Sequence, residues 1–167
     1  MKRTNWIDRK FNHDLPEGWL ANIIERLAGT VPRINQMIKG LSEEQLVKKP
    51  EGKWSIKEHI GHLSDLEDLH EGRINDFKEQ KEILRAADMS NKKTYDMNHN
   101  QKSITDLINE FKIKRDVFVL RLQKLDDDTQ QTRSMHPRLK LMMKPVDMAY
   151  FTAEHDDHHL ASVRELI

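Results

Sequence analysis

The stretch that decides the fold is "GKWSIKEHIGHLSDLE", residues 52–67, which opens on a glycine and continues into a long helical pattern. Ser55 is followed three residues later by Glu58, the spacing at which two side chains cap the first turn of a helix reciprocally. We therefore expect a long helix to begin at Ile56 and to continue to about Ala86. Its apolar positions recur at helical spacing: Ile56, Ile60, Leu63, Leu66, Ile74 and Phe77.

Another helix is predicted upstream of this stretch. "DLPE" offers Asp14 as the N-cap residue, a proline in the first turn and Glu17 three residues on. Pro32 lacks a backbone N–H, so we expect a kink or a short break there. A second capping signature, "SEEQ" at residues 42–45, opens a short helical piece. The apolar positions of this first helix are Leu20, Ile23, Ile24, Leu27, Val31, Ile34, Ile38 and Leu41.

Two more helices are predicted downstream. Ser103 caps a third helix, and a fourth begins near Pro145 and continues to the end of the chain. The connections before them, residues 87–102 and 132–145, are polar or irregular. The third helix carries a regular apolar stripe: Ile104, Leu107, Ile108, Phe111, Phe118, Leu122 and Leu125.

The chain contains no strand pattern, since no segment alternates apolar and polar residues for more than a few positions. We predict an all-α fold with one domain spanning residues 1–167. Four helices, with a long crossover between the second and the third, indicate a four-helix bundle of non-simple connectivity.

Composition excludes several functional classes. The 28 basic and 28 acidic residues balance, so we expect no nucleic-acid partner. Cysteine is absent, so any metal ion must bind to nitrogen or oxygen. No stretch approaches the roughly 20 apolar residues of a membrane span, and the first residues lack the apolar run of a secretory signal. We expect a cytoplasmic protein without a membrane partner.

The nine histidines are unevenly distributed along the chain. His13, His99 and His136 fall in connections or near a helix start, where we expect solvated side chains. The other six lie on the second and fourth predicted helices: His59, His62, His70, His155, His158 and His159.

The histidines of the fourth helix have the spacing of metal ligands. His155 and His159 are one turn apart on one face, although His155 and His158 could share an ion as well. On the second helix, either His59 or His62 could border the core. Each histidine by itself is more simply an ordinary residue of an amphipathic helix. Jointly, one histidine of the second helix and a pair on the fourth favour a metal site, because an ion satisfies several buried imidazole lone pairs at once.

Other chemistry is less well supported. A di-iron carboxylate bundle requires two Glu-x-x-His pairs, and only Glu67 with His70 has that spacing. No hydrolase nucleophile motif, phosphate-binding loop or dinucleotide-binding motif occurs, and no residue is singled out as a catalytic base. Asp65, Asp156 and Asp157 are candidate acceptors for imidazole N–H groups, with a solvated helix surface as the simpler alternative for each.

Two segments resemble the DinB/YfiT-like superfamily. In "LSEEQLVKKPEGKWSIKEHIGHLSDLE", residues 41–67, Trp54 and Ser55 open a helix that bears His62. In "AEHDDHHLAS", residues 153–162, His155 and His159 match the family's H-x-x-x-H. The resemblance covers about residues 15–166. The sequence departs from many relatives after His159, where "HHLAS" replaces an "HRGQ" type of ending, which weakens the transfer of any particular activity.

The resemblance implies a bundle with up-down-down-up connectivity, often dimeric, so we expect a homodimer. It also implies that His62, His155 and His159 bind nickel or zinc with positions left open to water, and it selects His62 over His59. Contributions from His59, His70 or His158 stay open. Relatives include transferases and isomerases that use bacillithiol, mycothiol or glutathione, and presumed metal-dependent hydrolases.

The resulting prediction is a metal-dependent enzyme that activates water or a low-molecular-weight thiol for reaction with a small-molecule substrate. An ion held by three imidazoles can lower the pKa of a water or a thiol towards neutrality. The alternative is a non-catalytic metal-binding bundle that acts through dimerisation or partner binding.

Overall fold

The computed structural model describes residues 3–50 and 52–167, and its long helices form a four-helix bundle. Short 3₁₀ turns cover Trp6–Asp8, Glu17–Trp19 and His99–Gln101. The helices are α1 Leu20–Ala28, α2 Thr30–Ile38, α3 Glu43–Val47, α4 Ile56–Lys78, α5 Lys92–Asp96, α6 Ile104–Gln123, α7 Asp127–Gln131 and α8 Pro145–Leu166. Two short antiparallel strands, β1 Ser134–Met135 and β2 Met142–Met143, precede α8.

The middle two helices of the bundle, α4 and α6, run in the same direction. Glu67 pairs with Arg115, and further along both helices Asn75 pairs with Arg121. A parallel pair requires a long connection, and the crossover at residues 79–103 provides it.

The outer helices run the other way. Going along α4, His59 and then His62 meet residues of α8 in decreasing order, His159 and then His155, so α4 and α8 are antiparallel. Arg26 of α1 contacts Ala153 of α8, and Arg33 of α2 contacts Asp157, which lies further along α8. The residue numbers increase together, so α1 and α2 are parallel to α8. The connectivity is therefore up-down-down-up, as the resemblance implied.

The first predicted helix is interrupted, but three residues earlier than the proline predicts. The break is at Gly29, which separates α1 from α2. Pro32 then lies in the first turn of α2, where its missing N–H leaves no helical hydrogen bond unmade.

Three of the four predicted N-caps are confirmed. Ser42 and Ser55 both form complete capping boxes, and Ser103 accepts a hydrogen bond from the backbone N–H of Asp106. Asp14 was wrong as an N-cap, because it has a positive φ of 71° and its carboxylate pairs with Arg133 and Lys144 instead. The 3₁₀ turn that leads into α1 consequently starts at Glu17 without a side-chain cap.

The helix that carries His62 is shorter than predicted. It ends at Lys78 rather than near Ala86, and the chain reverses through Gln80, which has a φ of 52°. Asp76 stabilises this reversal by accepting hydrogen bonds from the backbone and side chain of Arg85. The polar continuation that looked helical therefore belongs to the crossover.

A polar layer divides the core into two apolar clusters, one at each end of the bundle. At its centre Arg115 is 1% exposed and donates to Glu67 (2.7 Å), to Asp156 (3.2 Å) and to the carbonyl of Leu27 (3.2 Å). Asp156 also accepts from the hydroxyl of Thr30 at 2.7 Å. The layer joins all the long elements of the bundle, and the candidate site lies at the same level.

Candidate metal centre

Three histidines from two helices converge at one point of the polar layer. His62 of α4 faces His155 and His159 of α8, and one ring nitrogen of each lies within 4.8 Å of the others. The Nε2 atoms of His155 and His159 are 3.1 Å apart. The capping box at Ser55 fixes the start of α4, so that the seventh residue of that helix points at α8.

The orientation of His62 is set by the crossover. Its Nδ1 lies 3.0 Å from the hydroxyl of Thr94 in α5, which leaves Nε2 as the nitrogen free to bind an ion. Trp54 contacts the His62 ring at a centroid distance of 4.8 Å, and its indole N–H donates to the hydroxyl of Tyr95 at 3.3 Å. The segment before α4 and the crossover together hold this ring.

The orientation of His159 is set by a fourth histidine, His59. The two Nδ1 atoms are 2.8 Å apart, so one ring donates to the other. With the proton on His159 Nδ1, its Nε2 lone pair points towards His155. His59 therefore contacts a member of the three-histidine cluster rather than taking the place of His62.

The histidines of this site are neutral at physiological pH. Burial, and to a smaller extent the neighbouring imidazoles, lower the pKa of His62 and of His155 to about 3. Burial likewise holds the pKa of His159 well below its usual range and lowers that of His59 to about 4. Neutral rings keep the lone pairs that a metal ion requires.

The geometry fits a divalent ion. Nitrogen ligands of a tetrahedral zinc site lie about 3.3 Å from one another, and the His155–His159 separation of 3.1 Å is close to this value. Two lone pairs facing each other across such a gap repel unless a proton or a cation lies between them. The donor set is therefore suited to a nitrogen-preferring metal.

The three carboxylates considered as imidazole acceptors have other partners. Asp65 pairs with His99 at 2.8 Å, Asp156 with Arg115, and Asp157 with Arg26 and Arg33. Asp65 does accept from an imidazole, but from that of His99, and among the described residues none of the three carboxylates hydrogen-bonds to the three-histidine cluster. A hydroxyl and an imidazole take that place.

Two of the histidines expected in solvent are buried. His99 is 2% exposed and His136 is 3% exposed, because the connections that carry them fold against the helices. The ring of His99 packs on Gly61, where a Cβ atom would come within 2.3 Å of it. His13 is only half-buried.

The remaining two helical histidines lie beside the cluster. His158 contacts the ring of Trp6 at a centroid distance of 5.7 Å, and its backbone carbonyl accepts from Arg3 at 3.0 Å. His70 is buried, and its ring contacts Phe118. Both residues line the cavity next to the site.

A cavity of about 510 Å³ adjoins the three histidines. This volume is in the range of small-molecule binding sites. Its walls come from α4, from α8, from both long connections and from the N-terminal segment. The apolar residues that line it include Trp6, Leu66, Leu69, Ala86, Met89 and Phe151. Sequence reasoning missed Trp6, whose aromatic ring before the first helix was the only signal available for it.

The described residues contain no helix with the length and hydrophobicity needed to cross a membrane.

Comparisons with known proteins agree with this architecture. No curated protein matches the sequence. YfiT from Bacillus subtilis, described as "a probable metal-dependent hydrolase with an unusual four-helix bundle topology", superposes with a TM-score of 0.75 at 18% identity, over 95% of this chain and 91% of that one. The mycothiol-dependent maleylpyruvate isomerase superposes with a TM-score of 0.68 at 9% identity, over 90% of this chain, which spans only 62% of the isomerase. The model of the DinB superfamily matches residues 26–163, and the chain therefore belongs to that superfamily.

Proposed function

We propose that His62, His155 and His159 bind one divalent metal ion, and that the protein is an enzyme acting on a small molecule in the adjacent cavity. The observation that carries this proposal is the convergence of three neutral imidazoles on the wall of a cavity of about 510 Å³. A structural zinc site is normally closed by four protein ligands, whereas three leave a position for reaction.

A divalent ion in this position supplies a Lewis acid and can ionise a water or a thiol near neutral pH. The protein's own residues orient the site. Thr94 fixes the ring of His62, and His59 fixes that of His159. Trp54 and Trp6 flank the histidines and reduce their access to bulk water.

Two reaction classes share this arrangement, hydrolysis and transfer of a low-molecular-weight thiol. The description of YfiT supports the first, and the mycothiol dependence of the isomerase supports the second. Zinc or nickel as the metal, and bacillithiol, mycothiol or glutathione as the thiol, belong to this proposal. A homodimer and a cytoplasmic location stay predictions.

Metal analysis tests the site. Purified protein is expected to contain about one equivalent of a divalent ion, and His62→Ala, His155→Ala and His159→Ala are each expected to lose it. His70→Ala is the matched control, since this buried histidine lines the same cavity without belonging to the cluster. Retention of the ion by all three cluster variants would show that the assignment is wrong.

A substrate panel tests the reaction class. Metal-loaded protein is incubated with esters, amides and reactive electrophiles, with and without each thiol. Turnover that requires a thiol supports the transferase, and thiol-independent hydrolysis supports the hydrolase. Metal binding without either activity would favour a non-catalytic bundle.

A further inference from the structure

The cavity that adjoins the three histidines is also lined by two arginines. Arg73 of α4 lies eleven residues after His62, about 16 Å further along the helix axis, and Arg138 belongs to the connection between β1 and β2. Both line the cavity that adjoins the three histidines. Their charges are not used by the proposed metal chemistry.

Arg73 is a buried cation with a fixed orientation. It is 2% exposed, and its Nε and Nη2 both donate to the backbone carbonyl of Arg85 at 3.2 Å. Burial lowers the pKa of Arg73, and Asp76, whose charge partly offsets this, hydrogen-bonds to Arg85 and Lys81 instead. A carbonyl oxygen is thus the acceptor that Arg73 has, and its Nη1 is left for another group.

Neither cavity arginine is neutralised within residues 3–50 and 52–167, where neither forms a salt bridge. Arg138 is half-buried against the ring of Phe151, and it lies close enough to Arg73 to lower the pKa of that residue, which burial brings to about 10. Among the described lining residues only Asp88 is acidic. It is exposed and accepts hydrogen bonds from Ser90 and from the backbone of Lys92.

His136 adds an unused donor to the same wall. Its Nδ1 accepts from the backbone N–H groups of Arg138 (3.3 Å) and Leu139 (3.2 Å), so the ring proton resides on Nε2. This Nε2 is buried and has no partner among the described residues. A buried N–H without an acceptor is costly unless a ligand or a water satisfies it.

We propose that Arg73, Arg138 and the Nε2–H of His136 form an anion subsite that holds the carboxylate of a small organic acid. Leu66, Leu69 and Phe151 supply apolar contacts for the body of such a molecule. The inference rests on the proposed function in one respect, that the molecule so bound is the substrate whose other end meets the metal. The substrate class is then an amphipathic organic acid with a reactive group remote from its carboxylate.

Equilibrium binding of matched probes tests the subsite. 3-Phenylpropionate and its uncharged amide are titrated calorimetrically into the full-length protein as purified, with phenyl phosphate as a second anion. The acid is expected to bind at least about tenfold more tightly than the amide, since charge-assisted hydrogen bonds exceed neutral ones by that order. Tighter binding of phenyl phosphate than of the acid would identify a phosphate monoester as the anion.

Substitutions of individual arginines test which of them bind the carboxylate. Arg138→Gln is expected to reduce the affinity for the acid about tenfold and to leave the affinity for the amide unchanged. Arg138→Lys should have an intermediate affinity for the acid. Arg133→Gln removes an arginine of the same segment that is exposed and paired with Asp14, and it should change neither probe. Arg73→Gln is a second test if circular dichroism shows that it folds. Equal binding of acid and amide, or an unchanged affinity in Arg138→Gln, would overturn the subsite.

The proposed metal site and the proposed anion subsite can be tested independently of each other. His155→Ala should lose the ion yet bind the acid as the wild type does, whereas Arg138→Gln should keep the ion and bind the acid about tenfold more weakly. If the acid loses its advantage over the amide in His155→Ala, the carboxylate was bound by the metal and the subsite is wrong.

Discussion

The polar layer of this bundle contains two regions that differ in how their polar groups are satisfied. Around Arg115 every long element of the bundle contributes a partner, and the cation meets two carboxylates. Around His62 the rings are neutral, they face one another, and they open onto a cavity. The first region is closed and joins helices. The second leaves lone pairs and donors for molecules that are not part of the chain.

This difference separates structural from functional burial of polar groups. Breaking a satisfied buried ion pair leaves an uncompensated charge and costs stability. Removing a histidine of the proposed metal site should instead reduce the affinity for the ion. Four measurements test whether the two regions differ in this way.

The largest effect is expected for Arg115→Met. The variant leaves Glu67 and Asp156 buried without their cation, so we expect the free energy of unfolding to fall by about 3–5 kcal/mol. Urea denaturation measures it. Arg121→Met is the control on the same helix, because Arg121 is partly exposed and pairs loosely with Glu71 at 3.5 Å. A loss for Arg115→Met no greater than that for Arg121→Met would contradict the closed character of the first region.

His136, which lines the cavity next to the second region, should make the stability of the protein sensitive to acid. Burial, followed by Arg73 and Arg138, lowers the pKa of His136 from 6.5 to about 3. Between these pH values the unfolded chain binds one more proton, so the free energy of unfolding falls as the pH falls, by about 1.4 kcal/mol per unit for this group. The contribution is fully present above pH 6.5. His136→Gln should reduce the slope of stability against pH between about pH 6 and 4, and an unchanged slope would contradict burial of the neutral ring.

Loss of the hydroxyl group that contacts His62 should weaken binding of the proposed metal ion without unfolding the protein. Thr94→Val keeps the shape of the side chain but removes the partner of His62 Nδ1, and we expect metal affinity to fall about tenfold or more. Competition with a chromogenic chelator measures the affinity. Thr94→Ser retains a hydroxyl and should behave as the wild type does. A loss in Thr94→Ser but not in Thr94→Val would show that the methyl group, and not the hydrogen bond, matters.

The smallest effect is expected for His158→Ala. His158 precedes His159 in sequence, and its ring contacts those of Trp6 and His159. It lies outside the three-histidine cluster, however, and its hydrogen bond to Arg3 uses the backbone carbonyl. Metal affinity should therefore stay within about a factor of two of the wild-type value. A loss of the ion comparable with that of His155→Ala would move the ligand set to the pair three residues apart.

Local sequence signals predicted most of the helix starts correctly. Ser42, Ser55 and Ser103 cap as predicted, and Pro145 begins α8. These signals act within one helical turn, so they are readable without tertiary information. The end of α4 was missed by eight residues, because Asp76 reverses the chain through a hydrogen bond to Arg85 that no helical pattern indicates.

The site shows the same division. The one-turn spacing of His155 and His159 put both on one face of a helix, and the resemblance to a known family chose His62 as their partner. The partners of these rings could not be found in the same way. Thr94 and His59 are separated from the residues they orient by 32 and 100 positions.

The sequence by itself determined an all-α chain, its main caps and a group of histidines able to bind a metal, because periodicity and capping depend on neighbours along the chain. Tertiary structure alone decided that His99 and His136 are buried, that Arg115 joins the bundle, and that two arginines share a cavity with three histidines. Those outcomes depend on how long connections fold back over helices. That is a matter of packing between distant segments, which the order of residues along the chain does not display.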